Sequence, residues 1–189
     1  IAAGAQASKR IGIPGEEEDL EGIYYGLDFL TQVRMGKKVP LSGKTVIIGG
    51  GNVAVDVART ALRAGAQEAQ VFCLEPRDEM PAWEQDVEEA IDEGIVINPD
   101  LSPVKITHQK GRVTGIEFSR CVSVFDDEGS FNPTCDLDDT RFVDADNVII
   151  SIGQAADMSF LDADSQLERE LWGTLVVDTN TLATNVPGV

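Results

Sequence analysis

Hydrophobic residues between positions 44 and 98 alternate between short continuous runs and helical spacing. The continuous runs are bounded by turn formers, as buried strands usually are. Between them, apolar residues recur every three or four positions and stop at Gly65 and Gly94, while Pro81 suits the first turn of a helix. The pattern predicts strands at 45–48, 69–74 and 95–97, and helices at 53–62 and 81–93. This alternation predicts a parallel sheet with right-handed connections.

The hydrophobic period changes after residue 100. Strand-like segments at 104–108, 113–124 and 140–143 are separated by a short turn and by an acidic stretch, 126–139, that we expect to be a loop. Strands connected so closely pair in antiparallel fashion. A further buried strand, 147–151, precedes Gly153. The predicted fold class is therefore α/β, a Rossmann-like three-layer parallel sheet with an antiparallel β-meander insertion.

The two ends of the chain differ from this middle part. Residues 1–43 are rich in glycine and carry one short helical pattern at 24–30, and residues 154–189 are rich in Asp and turn formers. The sequence thus divides into three segments, 1–43, 44–153 and 154–189.

The chain is strongly acidic, because 33 Asp and Glu oppose 15 Lys and Arg and give a net charge of −18 over 189 residues. Such a charge argues against nucleic acid and against an anionic membrane surface as partners. The apolar runs are too short to span a bilayer, and we see no secretory signal. Cys73, Cys121 and Cys135 are far apart in sequence, which favours a reducing compartment over a disulfide framework. We expect a cytoplasmic protein, with Cys73 in the core.

The strongest local motif is Gly-x-Gly-x-x-Ala, formed by Gly49, Gly51 and Ala54 between a predicted strand and a predicted helix. Gly49 allows a tight turn, Gly51 allows a pyrophosphate to approach the backbone, and Ala54 allows the helix to pack close to the sheet. N–H groups at the helix start attract phosphate. We expect a dinucleotide site here rather than an ordinary turn, formed by Gly49, Gly50, Gly51, Asn52, Val53 and Ala54.

Glu75 lies 24 residues beyond Gly51, at the predicted end of the second strand. A carboxylate there accepts hydrogen bonds from both hydroxyls of an adenosine ribose and repels a 2′-phosphate, so it favours NAD(H) over NADP(H). The alternative interpretation is that Glu75 is a solvated glutamate in a loop. Arg77 nearby leaves NADP(H) open, because arginine can hold a 2′-phosphate.

The sequence offers little support for a metal site or for acid–base catalysis. His108 is the single histidine and is expected at the surface of a strand, and we predict no zinc site because no second ligand has suitable spacing. The acidic runs beginning at Glu16 and Asp126 lack the spaced oxygens of a calcium loop and are interpreted as solvated surface. We assign no catalytic acid or base.

Four segments share one combined pattern, namely residues 3–6 with 12–15, residues 49–59, residues 78–82 and residues 146–154. Together they resemble the pyridine nucleotide–disulfide oxidoreductase superfamily, in the branch that includes the glutamate synthase small subunit. Residues 3–6 followed by 12–15 resemble the crossover from an FAD domain into a nucleotide domain. Residues 49–59 are close to that branch's nucleotide fingerprint, residues 78–82 resemble its Glu-Met-Pro-Ala stretch, and residues 146–154 resemble the strand that returns toward the flavin.

The resemblance implies that this chain is the NAD(P)-binding domain of a longer flavoprotein. Segments 1–43 and 154–189 then lead from and back to an FAD domain, and Gly153 and Gln154 border the nicotinamide. It also implies hydride transfer from NAD(P)H to FAD and onward transfer to an iron–sulfur or acceptor subunit. The sequence Leu74-Glu75-Pro76-Arg77 departs from the paired arginines usual in the NADPH-dependent glutamate synthase branch. A different interpretation is a non-catalytic scaffold or nucleotide sensor that docks a partner subunit.

Overall fold

The computed structural model describes residues 4–16, 20–162, 165–170 and 174–188. Contacts divide the chain into two compact units, Arg10–Gly153 and a second one formed by Ile1–Lys9 with Gln154–Val189. In chain order the elements are β1 (Ala7–Ser8), β2 (Ile23–Tyr25), α1 (Gly26–Arg34), β3 (Lys44–Ile48), α2 (Asn52–Ala64), β4 (Glu68–Phe72), α3 (Glu84–Asp92), β5 (Val96–Asn98), β6 (Leu101–Gln109), β7 (Arg112–Phe125), β8 (Phe131–Asp144), β9 (Asn147–Ile150) and β10 (Gln154–Ala155).

A five-stranded parallel sheet forms the middle of the unit Arg10–Gly153, in the order β2-β9-β3-β4-β5. The parallel sheet predicted from the alternating pattern is confirmed. The edge strand β2 comes from the segment 1–43, and the compact unit that holds the sheet begins at Arg10. Residues 24 and 25 of this strand fall in the predicted helical pattern at 24–30, whose later part forms α1.

Both faces of the parallel sheet are buried, and they have different partners. Ile47, Val71 and Ile149 pack on one face against the helices, where α2 contributes alanines and valines. On the other face, Phe72 lies stacked on Phe118 of the meander, with ring centroids 4.3 Å apart. A strand covered on both faces is apolar throughout, which explains its continuous run of Val and Ile. The unit therefore has three layers, namely helices, parallel sheet and meander, and the predicted fold class is confirmed.

The meander is larger than its sequence predicts. Its order is β6-β7-β8, all antiparallel, and both β7 and β8 are 14 residues long. The expected loop at 126–139 is wrong, because only residues 126–130 turn and the acidic stretch beyond them is strand. Asp126 closes the turn by accepting hydrogen bonds from the N–H groups of Glu128 and Ser130. Charged residues suit β8, since an exposed edge strand with charges resists pairing with other chains.

Two predicted element boundaries are also wrong. The helix expected to start at Pro81 starts at Glu84, because Pro81 lies in a loop whose next residue, Ala82, donates its N–H to the carbonyl of Gly50. The second strand ends at Phe72 rather than at Leu74. Gly94 does end α3 as expected, with a left-handed φ of +91°.

Glu16 was expected at the solvated surface, and that interpretation is wrong. Its side chain is 2% exposed and accepts hydrogen bonds from the N–H groups of Ile11 and Gly12 and from the Tyr25 hydroxyl. This carboxylate replaces water as the acceptor for the N–H groups of a tight turn. A run of acidic residues in the sequence does not reveal such a role. Residues 17–19 of the same run lie outside the described part of the chain.

The second unit is small. Its strands β1 and β10 pair in antiparallel fashion, with Ala7 opposite Ala155 and Ser8 opposite Gln154. Asp178 closes a turn by accepting from the N–H groups of Asn180 and Thr181. Across the residues that the structure describes, no helix is both long and apolar enough to cross a membrane.

Candidate nucleotide-binding site

The glycine motif lies where β3 leaves the carboxyl edge of the parallel sheet. Gly49 adopts a φ of +137°, and its N–H donates to the carbonyl oxygen of Phe72 at 2.8 Å. A methyl group on Gly49 would collide with the carbonyl oxygen of Ser151. Only glycine meets both conditions, so this residue makes the turn that directs the chain from strand to helix.

Gly50 is enclosed by the loop that follows β4. A methyl group here would lie 2.7 Å from Oε2 of Glu75 and 3.1 Å from Cβ of Cys73. The Gly50 carbonyl accepts the N–H of Ala82 at 3.0 Å. Gly50 therefore brings the second loop, and with it the Glu75 carboxylate, against the first.

Gly51 has the opposite surroundings. A methyl group on it would meet no described atom within 4 Å, and its φ of −92° is accessible to any residue. Gly51 caps α2, which has no side-chain cap and no acidic residue in its first turn. Its carbonyl accepts the N–H groups of Ala54 and Val55, so the N–H groups of Asn52 and Val53 precede the helical ladder. An open space thus adjoins the positive end of a 13-residue helix.

Ala54 and Asn52 hold this helix start in place by different means. Ala54 is fully buried in the helical layer, in agreement with close packing of helix and sheet. The Asn52 side chain does not cap its own helix. Its Nδ2 donates to the Asp86 carboxylate at 2.8 Å, and its Oδ1 accepts the N–H of Trp83 at 3.1 Å. Asn52 therefore ties the start of α2 to the start of α3.

Glu75 and Arg77 lie in one loop and have separate partners. The Glu75 carboxylate is half-buried beside Gly50, within the same edge of the sheet as the open helix start. Arg77, in a 3₁₀ turn at Arg77–Glu79, forms two hydrogen bonds of 2.7 and 2.8 Å with the carboxylate of Glu84. The structure thus brings Glu75 to the glycine motif and holds the Arg77 guanidinium against α3.

The last two predicted residues fall in different units. Gly153, with a φ of +102°, ends the unit that carries the glycine motif, whereas Gln154 begins β10 of the second unit. Sequence analysis missed Ser151, which follows β9 at the same sheet edge as Gly49. The Ser151 hydroxyl is buried and has no hydrogen-bond partner among the described residues. A serine after an apolar strand was the signal available in the sequence.

Comparison with known proteins decides the family. A model of the pyridine nucleotide–disulphide oxidoreductase family matches residues 1–189. The chain belongs to this family. The resemblance inferred from the four sequence segments is therefore confirmed, and the fold described above is that of an oxidoreductase domain.

Several curated oxidoreductases are similar to this family member. The NADP(+)-dependent formate dehydrogenase subunit beta of Moorella thermoacetica is 40% identical over 191 residues, covering 100% of this chain and 27% of that protein. The NADPH-Fe(3+) oxidoreductase subunit beta of Geobacter sulfurreducens is 34% identical, covering 93% and 27%. The glutamate synthase [NADPH] small chain of Azospirillum brasilense is 32% identical, covering 100% and 42%. The chain thus spans less than half the length of these relatives.

Solved structures share the fold of this oxidoreductase domain. FprA of Mycobacterium tuberculosis in complex with NADPH superposes with a TM-score of 0.70 at 19% identity, covering 89% of this chain and 51% of FprA. Thioredoxin reductase of T. acidophilum superposes with a TM-score of 0.68 at 22% identity, covering 97% and 53%.

Cys73 lies beside Gly50 and has a buried thiol. Burial, followed by the negative charges of Glu75 and Asp100, raises the pKa of the Cys73 thiol to about 12. Cys73 is therefore protonated at neutral pH and belongs to the core, as expected. No group of three or more His, Cys, Asp or Glu within the described ranges is arranged to hold a metal ion.

Proposed function

We propose that this chain is the NAD(P)H-binding domain of an FAD-dependent oxidoreductase, where it positions reduced nicotinamide for hydride transfer to the flavin. The observation that carries the proposal is the open helix start at Gly51 beside the Glu75 carboxylate. Its N–H groups suit a pyrophosphate and its acid suits a ribose, so the two parts of an adenine dinucleotide have complementary groups at one sheet edge.

Each residue of the motif has a distinct role in this proposal. Asn52 and Val53 donate backbone N–H groups to the pyrophosphate, and Gly51 leaves room for its oxygens. Gly49 and Gly50 do not touch the phosphate. They form the turn and seat the second loop, as their close contacts with Ser151 and Glu75 support. Ala54 keeps the helix close enough to the sheet for the donors to converge.

On this geometry we rank NADH above NADPH as the preferred coenzyme. The Glu75 carboxylate accepts ribose hydroxyls and repels a 2′-phosphate, while Arg77 is engaged by Glu84. The names of three relatives point the other way, since the formate dehydrogenase, Fe(3+) oxidoreductase and glutamate synthase subunits are named for NADP(+) or NADPH. Glu75 is thus the residue on which the ranking depends.

The remaining roles concern the intact protein. Bound FAD supplies a two-electron acceptor for the nicotinamide hydride. Gly153 and Gln154 border the nicotinamide, and segments 1–43 and 154–189 connect this domain to the FAD domain. Onward electron transfer to an iron–sulfur or acceptor subunit is part of the proposal, and two relatives are named as beta subunits of oxidoreductases. We place the intact protein in the cytoplasm. We expect this chain alone to bind nucleotide without turnover.

Parallel calorimetric titrations with NADH and NADPH test the proposal. We expect NADH to bind more tightly, and Glu75→Gln to weaken NADH binding about 10- to 100-fold, because it removes charge-assisted hydrogen bonds. Arg77→Gln serves as the matched control and should change NADH affinity little. Tighter binding of NADPH by the unmodified protein would overturn the ranking and retain the site. Binding of neither coenzyme by the intact protein would overturn the site and favour a non-catalytic scaffold.

A further inference from the structure

Two of the three cysteines face each other across the meander. Cys121 of β7 lies directly opposite Cys135 of β8 in the antiparallel register, and the Cys121 thiol donates a hydrogen bond of 3.4 Å to the carbonyl oxygen of Ser123. Thirteen residues separate these two cysteines in sequence. The length of β8 brings them together, since Cys135 lies in the stretch 126–139, which is predicted to be a loop and is mostly strand.

The strand register suits a disulfide between these two residues. Directly opposed residues in an antiparallel pair have Cα atoms about 4.5 to 5.5 Å apart. A disulfide bond needs Cα atoms about 4.4 to 6.8 Å apart. Both cysteines are free thiols in this structure. The register therefore brings the two Cα atoms within the range at which rotation of the side chains can join the sulfurs.

The two thiols differ in access. Cys135 is partly exposed, whereas Cys121 is buried and lines a cleft of about 300 Å³ whose wall includes Leu74, Val122 and Asp100. A small reagent in solution meets Cys135 first. Cys121 is then in position to attack the sulfur of Cys135 from inside the protein.

We propose that Cys121 and Cys135 form a reversible intramolecular disulfide by exchange with a low-molecular-weight disulfide. The Cys135 thiolate attacks one sulfur of the reagent and releases its first thiol. The Cys121 thiolate then attacks Cys135, forms the protein S–S bond and releases the second thiol. The protein loses two electrons and two protons, the reagent disulfide is reduced to two thiols, and an added dithiol reverses both steps.

The surroundings of Cys121 make the closing step dependent on pH. Burial, followed by the effect of Cys135 and the charges of Asp100 and Glu75, raises the pKa of the Cys121 thiol to about 11. Below that pKa the reactive thiolate increases about tenfold per pH unit, and we expect the closing rate to follow it between about pH 7 and pH 9. The charged side chains that line the cleft or act on Cys121 are Glu75, Glu79, Asp100, Arg120 and Asp136.

Peptide mapping can detect this bond directly. Neither Lys nor Arg lies between Cys121 and Arg141, so trypsin releases both cysteines in one peptide, 121–141, while Cys73 is in another. The protein is equilibrated with oxidised and reduced glutathione at several ratios, quenched with acid, denatured, alkylated and digested. We expect peptide 121–141 to become lighter by two hydrogen atoms and resistant to alkylation as the ratio rises, and to return to the alkylated form after dithiothreitol.

Matched variants separate this bond from nonspecific oxidation. Cys121→Ser should leave Cys135 as a persistent mixed disulfide with glutathione, and Cys135→Ser should abolish the closed peptide. Cys73→Ala should leave closure unchanged. The proposal is overturned if both cysteines of 121–141 remain alkylated at every ratio, or if Cys135 keeps glutathione while Cys121 stays reduced. A bond from Cys73 to either thiol would also overturn it. Near-ultraviolet circular dichroism establishes that the oxidised protein is folded.

Discussion

The glycine motif after β3 and the β7–β8 hairpin differ in what surrounds their residues. Gly49 and Gly50 are in such close contact with neighbouring chain segments that a single methyl group has no room. Along β8, by contrast, most side chains are exposed and only Val143 is buried. Close packing restricts the residue type at Gly49 and Gly50. The hairpin depends on backbone pairing, which many sequences can satisfy.

This difference explains where sequence analysis succeeds. The tight turn itself requires small residues at the motif, so the sequence of the motif predicts the turn. The polar residues of β8 are equally compatible with a loop. They are exposed to water in an edge strand, as they would be in a loop. For the same reason, the sequence alone does not predict that Cys121 and Cys135 face each other.

The largest expected effect is at the contact between the hairpin and the parallel sheet that carries the glycine motif. Phe118 of β7 is fully buried against Phe72 of the parallel sheet. We expect Phe118→Ala to lower the free energy of unfolding by about 4 kcal/mol, because it leaves a cavity between two layers. Urea unfolding at equilibrium measures this loss. As the control, Phe131→Ala on the same hairpin, at a side chain 65% exposed, should cost at most about 1 kcal/mol. Equal losses in the two variants would contradict the three-layer packing.

Gly49→Ala tests close packing at the turn. We expect it to lower the free energy of unfolding by about 3 kcal/mol, because it combines a left-handed backbone with a collision at the Ser151 carbonyl. Gly51→Ala, two residues later, is the matched control and should change stability by less than about 1 kcal/mol. Thermal or urea unfolding distinguishes the two. A mild Gly49→Ala would show that the turn relaxes more easily than the structure indicates.

Gly51→Val separates binding from folding within the same motif. Its side chain enters open space, so the protein should fold, but it occupies the region proposed for the pyrophosphate. We expect nucleotide affinity to fall at least about 100-fold, equivalent to about 2.8 kcal/mol. Calorimetric titration measures the loss, and circular dichroism verifies the fold. Unchanged affinity in a folded variant would rule out the proposed phosphate position.

Asn52→Ala tests the link between the starts of α2 and α3. Removing the amide leaves the Asp86 carboxylate and the Trp83 N–H without these partners, so we expect a loss of about 1–2 kcal/mol in the free energy of unfolding. Gln85→Ala on α3 removes one exposed hydrogen bond to Glu89 and should cost less than about 0.5 kcal/mol. Urea unfolding of both variants gives the comparison, and indistinguishable midpoints would argue against the link.

The smallest effect concerns the exposed ion pairs between α2 and α3. Hydrogen bonding and charge from Arg59 and Arg63 lower the pKa of the Glu93 carboxyl. A carboxyl whose pKa is lowered by folding contributes stability above its unfolded pKa and loses it as the pH falls through the folded pKa. Glu93→Gln should therefore be less stable than the unmodified protein at pH 7, and the two should converge in acid. Salt should reduce the gap. A gap that stays constant down to pH 3 would contradict the linkage.

Much of the fold can be predicted from the sequence, and the physical reason differs from one element to the next. β3 and β9 are buried on both faces, so their apolar runs are unambiguous. Gly65 and Gly94 end helices through left-handed backbone that glycine adopts readily. The sequence does not predict the edge strand β2, because residues 24 and 25 fit the helical pattern at 24–30 that belongs mostly to α1. Pro81 suggests a helix start, but its contact with the Gly50 loop overrides that preference.

By itself the sequence determined the alternation of strands and helices from β3 to β5, the turn at the glycine motif and the resemblance to the family, because each of these can be recognised from patterns within short segments of the chain. Only the tertiary structure decided that the Glu75 carboxylate meets Gly50, that Arg77 pairs with Glu84, and that Cys121 faces Cys135. Those contacts depend on loop paths and strand register. They are set by the packing of whole layers, whose energy is shared among residues far apart in sequence.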